Sequence, residues 1–259
     1  MRIYEKFRQL KARKEGALIA YICAGDPTPE ATKEYVTALV RGGADIIELG
    51  LPFSDPVADG PTIQAGIERA LAGGMTPDVY FKTVASLHLH IPLVVMTYYN
   101  LIFKRGIEKF AKDCVSSGIS GIIVPDLPPE ESGELDEVCR DNGIDLIFLV
   151  APTTNEGRMK NILAKGTGFI YLVARLGVTG ARADVALSTK ELIERVKTKT
   201  PKAVGFGISN GRQASEIIAA GADGVIVGSA FVDIIAKGGD VAGKLEALAR
   251  ELKEGTRSP

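Results

Sequence analysis

Short runs of apolar, often β-branched residues recur along the chain, and each is followed by a segment with apolar positions at helical spacing. The runs "ALIAYICA" (17–24), "DIIELGL" (45–51), "PLVVMTYY" (92–99), "GIIVPDL" (121–127), "DLIFLVA" (145–151), "GFIYLVA" (168–174), "KAVGFG" (202–207) and "GVIVGS" (224–229) predict eight strands. Several are apolar throughout rather than alternating, which suits parallel strands covered on both faces. The segments "TPEATKEYVTALVRGG", "GIEKFAKDCVSSG", "PPEESGELDEVCRDNG", "STKELIERVKTK" and "GRQASEIIAAG" predict helices. The first opens on a threonine cap and a proline. The phrases "RGGADIIE", "SSGISGIIV", "DNGIDLIFL" and "AAGADGVIV" repeat one device: a glycine ends the helix, and the next strand starts within a few residues.

Eight strands alternating with helices, no linker and no break in composition favour one α/β domain over residues 1–259, a single (β/α)8 TIM barrel. Ile3, Phe7 and Leu10 at helical spacing add an N-terminal helix ahead of the first strand. A doubly wound open sheet is the alternative. It gains nothing from "GFGISNG", which lacks both the dinucleotide fingerprint and the acidic residue that should follow it.

The formal net charge of −1 argues against a nucleic-acid partner. No apolar run reaches membrane-spanning length, and the first residues do not read as a signal peptide. Cys23, Cys114 and Cys139 are widely spaced and lack a CxxC or a nearby histidine, so neither a disulfide framework nor a zinc site is expected. Together these features predict a cytoplasmic protein. His88 and His90 precede the third strand, at the amino end of a barrel, and are expected to face solvent or be structural, with no metal.

In such a barrel the chemistry lies at the carboxyl ends of the strands, which selects Glu48, Asp59, Tyr98, Asn100, Asp126 and Thr179. Glu48 shares a strand face with Ile46 and Gly50. Either its carboxylate reaches water at the strand end, or it is buried with a raised pKa and suited to proton transfer near neutrality. Asp59, before Gly-Pro, could cap a helix or take part in the chemistry. Asp55 reads as a turn former, and Asp126 could be structural. Glycine-rich segments after the sixth, seventh and eighth runs suggest an anion site where Gly207, Gly228 and Ser229 offer backbone amides and a hydroxyl. The long segment 175–188 reads as a mobile lid. No strand run carries an internal lysine, so an imine-forming aldolase is not favoured.

The stretch "ELGLPFSDPVADGPTIQ" closely resembles the signature of the tryptophan synthase α-subunit family. The resemblance continues through "AYICAGDP", "VVMTYYN", "YLVARLGVTG", "GFGIS" and "GSAFV", in order and over nearly the whole chain. It implies a (β/α)8 barrel that cleaves indole-3-glycerol phosphate to indole and glyceraldehyde 3-phosphate. It also implies an α2β2 assembly with a β-subunit that holds pyridoxal phosphate, with no cofactor in this chain. By the same resemblance Glu48 and Asp59 are the catalytic pair. Tyr21, Tyr98, Tyr171, Thr179 and Phe206 line the substrate pocket, Thr179 meeting the aspartate when the lid closes. Gly180, Gly207, Gly228 and Ser229 bind the phosphate. Residues 52–59 would also meet the partner, so Pro52, Asp55 and Pro56 could serve an interface. Tyr21 stands where some members have Phe, and Leu176 where a small residue is common. Two other readings compete: a different phosphate-binding isomerase or lyase on the same scaffold, and a mainly regulatory subunit.

Overall fold

A computed structural model describes residues 1–174, 182–205 and 207–257, without the side chains of 182–188. The strands are β1 (Ala17–Cys23), β2 (Ile46–Gly50), β3 (Leu93–Met96), β4 (Gly121–Ile123), β5 (Asp145–Ile147), β6 (Leu149–Val150), β7 (Ile170–Val173), β8 (Lys202–Gly205) and β9 (Gly224–Val227). All pairings are parallel, in the order β5-β4-β3-β2-β1-β9-β8-β7-β6. The two outermost strands of that order, β5 and β6, are halves of one run separated by Phe148. The lower half pairs with β4 and the upper half with β7, and the Phe148 carbonyl accepts from the Tyr171 amide at 3.0 Å. Nine assigned strands are thus the eight expected ones with the fifth bent in the middle, and the ring closes through that bend. The first and last strands pair directly, Ala17 opposite Gly224, which rules out the open doubly wound sheet.

The helices are α1 (Ile3–Ala12), α2 (Pro29–Arg41), α3 (Pro61–Ala72), α4 (Pro77–Ala85), α5 (Tyr99–Arg105), α6 (Ile107–Ser117), α7 (Gly133–Asp141), α8 (Glu156–Lys165), α9 (Arg182–Arg195), α10 (Gly211–Ala219), α11 (Ser229–Lys237) and α12 (Val241–Gly255). Boundaries differ from the sequence reading in several places. The third run leaves the sheet at Met96, and Tyr99 already opens α5, its amide held by the Asp126 carboxylate at 3.0 and 3.3 Å. Residues 128–132 form a turn that Ser132 ties back to the Pro129 carbonyl, so α7 starts only at Gly133. Part of the expected lid is helical, because α9 begins at Arg182; residues 175–181 lie outside the described residues.

Side-chain alternation divides the core in two. Leu18, Ala20, Ile22, Ile47 and Leu49 face outward into the layer between sheet and helices. Ala17, Ile19, Ile46, Val94, Ile123, Ile147, Phe169, Ala203 and Ile226 face inward and fill the barrel. Helix α1 plugs the amino end with Ile3, Phe7 and Leu10, the Phe7 ring lying 6.1 Å from that of Phe169. The layers above this plug are left for the site.

A buried ion cluster fastens the same end. Lys253, on α12, donates to the Asp45 carboxylate at 2.9 Å and to the Gly16 carbonyl at 3.0 Å, and pairs with Glu15 at 3.0 Å. Asp45 in turn accepts from the Leu18 amide at 3.0 Å. One ammonium thus ties the last helix to the entrances of β1 and β2. Removing one partner of a buried pair strands the other charge, at a cost of about 3–5 kcal/mol. Lys253→Met is expected to lower the unfolding free energy by about that much in urea titrations. Lys82→Met, on the exposed face of α4, should change it by less than about 0.5 kcal/mol. Equal effects would show that the cluster fastens nothing.

Candidate active site

A cavity of about 270 Å³ opens at the carboxyl end of the barrel. Its apolar wall comes from inward positions of the strands and their ends: Met96, Ile123, Leu149, Val173 and Ile226, with Pro125 and Ile63 from adjoining segments. Its polar groups are Glu48, Asp59, Tyr21, Tyr171, Thr62 and Ser229.

Glu48 lies on the inward face of β2, one inward position above Ile46 and directly across the register from Tyr21. It is 1% exposed, and its Oε2 has no hydrogen-bond partner among the described residues. Burial, assisted by the charge of Asp59, pushes its pKa up to about 8. At 1% exposure the carboxyl does not project into bulk water, against the strand-end alternative; it borders the cavity instead. Two tyrosines flank this carboxyl because glycines make room for them. A Cβ on Gly50 would stand 2.6 Å from the Tyr21 hydroxyl, and one on Gly205 would stand 2.5 Å from that of Tyr171.

Asp59 is not a helix cap. The N-cap of α3 is Gly60, with no side-chain cap, and Pro61 supplies the fixed φ of the first turn. The Asp59 carboxylate instead accepts from the Tyr98 hydroxyl at 2.6 Å. Its pKa is raised by burial and held back by that bond. The loop that carries it is pinned by Gln64, whose amide nitrogen donates to the Asp59 carbonyl at 2.8 Å. From the other side Arg69 of α3 grips the buried Asp26 with two bonds of 2.7 Å. The two carboxyls therefore differ in kind: Glu48 is unpartnered and favours its neutral form, whereas Asp59 has a donor that favours its anion.

Gly207, with φ of +74°, and Gly228 and Ser229 border the same cavity at the ends of β8 and β9. Ser229 is the first residue of α11, whose N-cap Gly228 brings no side-chain cap. The Phe231 amide turns back to the Gly228 carbonyl at 2.9 Å, which leaves the Ser229 and Ala230 amides of the first turn for an anion. Tyr98 is not among the residues lining the cavity, but its hydroxyl reaches Asp59. Asn100 is exposed on α5, and Asp126 caps that helix's backbone. Asp55 is exposed and accepts from Ser54, and His88 and His90 are exposed at the amino end. Thr179, Gly180 and Phe206 lie outside the described residues. Among the described residues no group of three or more His, Cys, Asp or Glu is placed to share a metal ion.

Comparison with known proteins agrees with this geometry. The family model for the tryptophan synthase alpha chain matches residues 7–257. The chain belongs to the tryptophan synthase alpha chain family. It is 63% identical over 254 residues to the tryptophan synthase alpha chain of Methanosarcina acetivorans, covering 98% of this chain and 93% of that one. It is 48% identical over 263 residues to the same chain of Gloeobacter violaceus, covering 99% and 95%. Among solved structures it is similar to tryptophan synthase subunit alpha of Legionella pneumophila, with a TM-score of 0.90, 35% identity and coverage of 98% and 97%. It is equally similar to a chain of Mycobacterium tuberculosis tryptophan synthase in its aminoacrylate-bound form, with a TM-score of 0.90, 36% identity and coverage of 98% and 99%. The chain is therefore an enzyme of tryptophan biosynthesis, a lyase acting on indole-3-glycerol phosphate, and the rival readings, a different phosphate-binding isomerase or lyase and a mainly regulatory subunit, are not favoured.

The sequence reading did not find the apolar wall, although strand parity would have given it. Met96, Ile123, Leu149 and Ile226 share the inward face with residues of the barrel core. It also gave no sign that Tyr98 bonds Asp59, a contact between two loops distant in sequence.

The raised Glu48 pKa has a thermodynamic consequence. Between about 4.5, the ordinary value, and about 8 the native state holds a proton that the unfolded chain releases. The native state binds more protons there, so this group makes stability fall as pH rises through the window. Glu48→Gln is expected to gain stability over wild type as pH goes from about 5 to about 8.5, read from urea midpoints. A difference that stays constant with pH would contradict the burial assignment.

Proposed function

We propose that Glu48 and Asp59 carry out the retro-aldol cleavage of indole-3-glycerol phosphate in this cavity. The observation that carries the reading is the pairing of a buried glutamate, its Oε2 without a partner, with a hydrogen-bonded aspartate on one apolar-walled cavity. The C–C bond to be broken joins indole C3 to a carbon bearing a hydroxyl. Its electrons need a sink, and the ring provides one once C3 is protonated. Glu48, neutral at physiological pH, gives C3 that proton. Asp59, ionised, accepts the indole N–H and stabilises the positive charge that builds on the ring. The Glu48 carboxylate then removes the hydroxyl proton. The carbonyl forms, the bond to C3 breaks, and its electron pair restores the aromatic ring. The proton given equals the proton taken, so Glu48 ends as it began.

The apolar wall of Met96, Ile123, Leu149 and Ile226 suits the indole ring, with Tyr21 and Tyr171 beside it. The phosphate falls to Gly207, Gly228, Ser229 and the start of α11, with Gly180 from the segment after β7. The family resemblance adds Thr179 and Phe206, outside the described residues, to the substrate pocket. Charge complementarity at such a helix start contributes about 0.3–2 kcal/mol.

The partner we propose is a tryptophan synthase β-subunit in an α2β2 assembly, receiving indole directly. Val57 and Phe103, 82% and 68% exposed, lie on elements that follow β2 and β3 and offer apolar area for such docking. Pyridoxal phosphate would reside in that partner, since acid–base groups alone suffice for the cleavage. The chain would act in the cytoplasm, where its three unpaired, buried cysteines remain thiols. The whole length, 1–259, would behave as one domain, α12 being clamped to the barrel's first two strands.

Glu48→Gln and Asp59→Asn are each expected to reduce indole release by about 10²–10⁴-fold while leaving the far-UV circular dichroism unchanged. Turnover within a few-fold of wild type in either variant would refute the assigned role.

A further inference from the structure

Resting on the catalytic roles above, we infer that Tyr98 is a positioning residue that acts on the reaction only through Asp59, fixing the carboxylate's orientation and its ionised state. Two hydrogen bonds meet at the Tyr98 hydroxyl. The Ala58 amide donates to the hydroxyl oxygen at 3.0 Å. The hydroxyl's own proton points at the Asp59 Oδ2, 2.6 Å away. A donor on one carboxyl oxygen favours the anion, and so works against the burial that raises the Asp59 pKa.

The ring beneath the hydroxyl is held as firmly. Tyr98 is 3% exposed and packs on Phe53, with ring centroids 5.4 Å apart. Its backbone is the N-cap of α5, whose first amide is bound by Asp126. The strength of Asp59 as an anion is thus set by a contact between the β2–α3 loop and the head of α5. Tyr98 is not among the residues that line the cavity, whereas Asp59, which its hydroxyl bonds, is.

Among the described residues, the titratable groups that feel the charge of Asp59 are Glu48 of β2, Tyr21 and Cys23 of β1, Tyr171 of β7 and Tyr98 itself. The phenols and the thiol are pushed upward, chiefly by burial, and keep their protons across the neutral range. Glu48, at about 8, sets the alkaline limb of activity because it must start protonated. The acid limb belongs to Asp59.

Steady-state indole release by the full chain, measured across pH for wild type and Tyr98→Phe, tests the inference. The Phe ring keeps the packing and loses only the donor. The expected result is a kcat lower by about ten- to a hundredfold and a KM for indole-3-glycerol phosphate within about twofold. The acid limb should move up by about one pH unit, with the alkaline limb unmoved. A KM several-fold higher with kcat retained would overturn the inference, because Tyr98 would then touch substrate. A lower kcat with an unmoved acid limb would also overturn it, because the role would be general packing. Replacing Tyr98 alone by 3-fluorotyrosine gives a second arm that preserves ring and hydroxyl. That stronger donor should move the acid limb down, and an upward or absent shift would contradict the assignment. Wild type that releases no indole would sink the catalytic reading itself, whereas active wild type with an unchanged Tyr98→Phe sinks only this inference.

Discussion

The site depends on a carboxyl group enclosed in a barrel interior without a partner. Glu48 occupies an inward position that an aliphatic residue would fill at no electrostatic cost, as Ile46 does one layer below. Its neutral form is favoured because the wall around it offers neither a counter-charge nor a hydrogen bond to Oε2. The same burial that makes the residue costly makes it an acid at neutral pH. Asp59 adds to this from nearby, since a second negative charge disfavours ionisation of the first.

The rest of the barrel holds that arrangement in place. At the amino end α1 and the Lys253 cluster close the barrel and leave its upper layers free. At the carboxyl end the loop bearing Asp59 is held from three sides, by Tyr98, by Gln64 and through the Arg69–Asp26 pair on α3. Tyr80 joins the same scaffold by donating to the Leu49 carbonyl at 2.9 Å, next to Gly50. Rigid support matters because a proton donor misplaced by even an ångström loses much of its effect. Where β8 and β9 end, glycines and a helix start present amides instead of side chains, so one rim of the cavity is apolar and carboxylic and the other is suited to an anion.

The strands were legible in the sequence because inward and outward faces are both dry, which produces continuous apolar runs bounded by glycine. Glu48 was legible for the same reason: a charge inside such a run is conspicuous. Its partner was less so, since Asp59 before Gly-Pro has the local appearance of a helix cap, and only the fold shows Gly60 in that place. The bend at Phe148, which lets one strand serve two neighbours, left no trace in a run that is apolar throughout. The start of α9 at Arg182 was hidden because "ARADVALS" follows glycines and reads as loop. Contacts between loops far apart in sequence, such as Tyr98 with Asp59 and Lys253 with Asp45, depend on the closure of the barrel and carry no local signature.

Glu48's protonation can be observed directly. With side-chain carboxyls labelled with carbon-13, a nuclear magnetic resonance pH titration follows each glutamate separately. The account predicts one resonance with a midpoint near about 8 that disappears in Glu48→Gln. If every glutamate titrates near the ordinary value of about 4.3, the carboxyl is solvated and cannot be the proton donor described here.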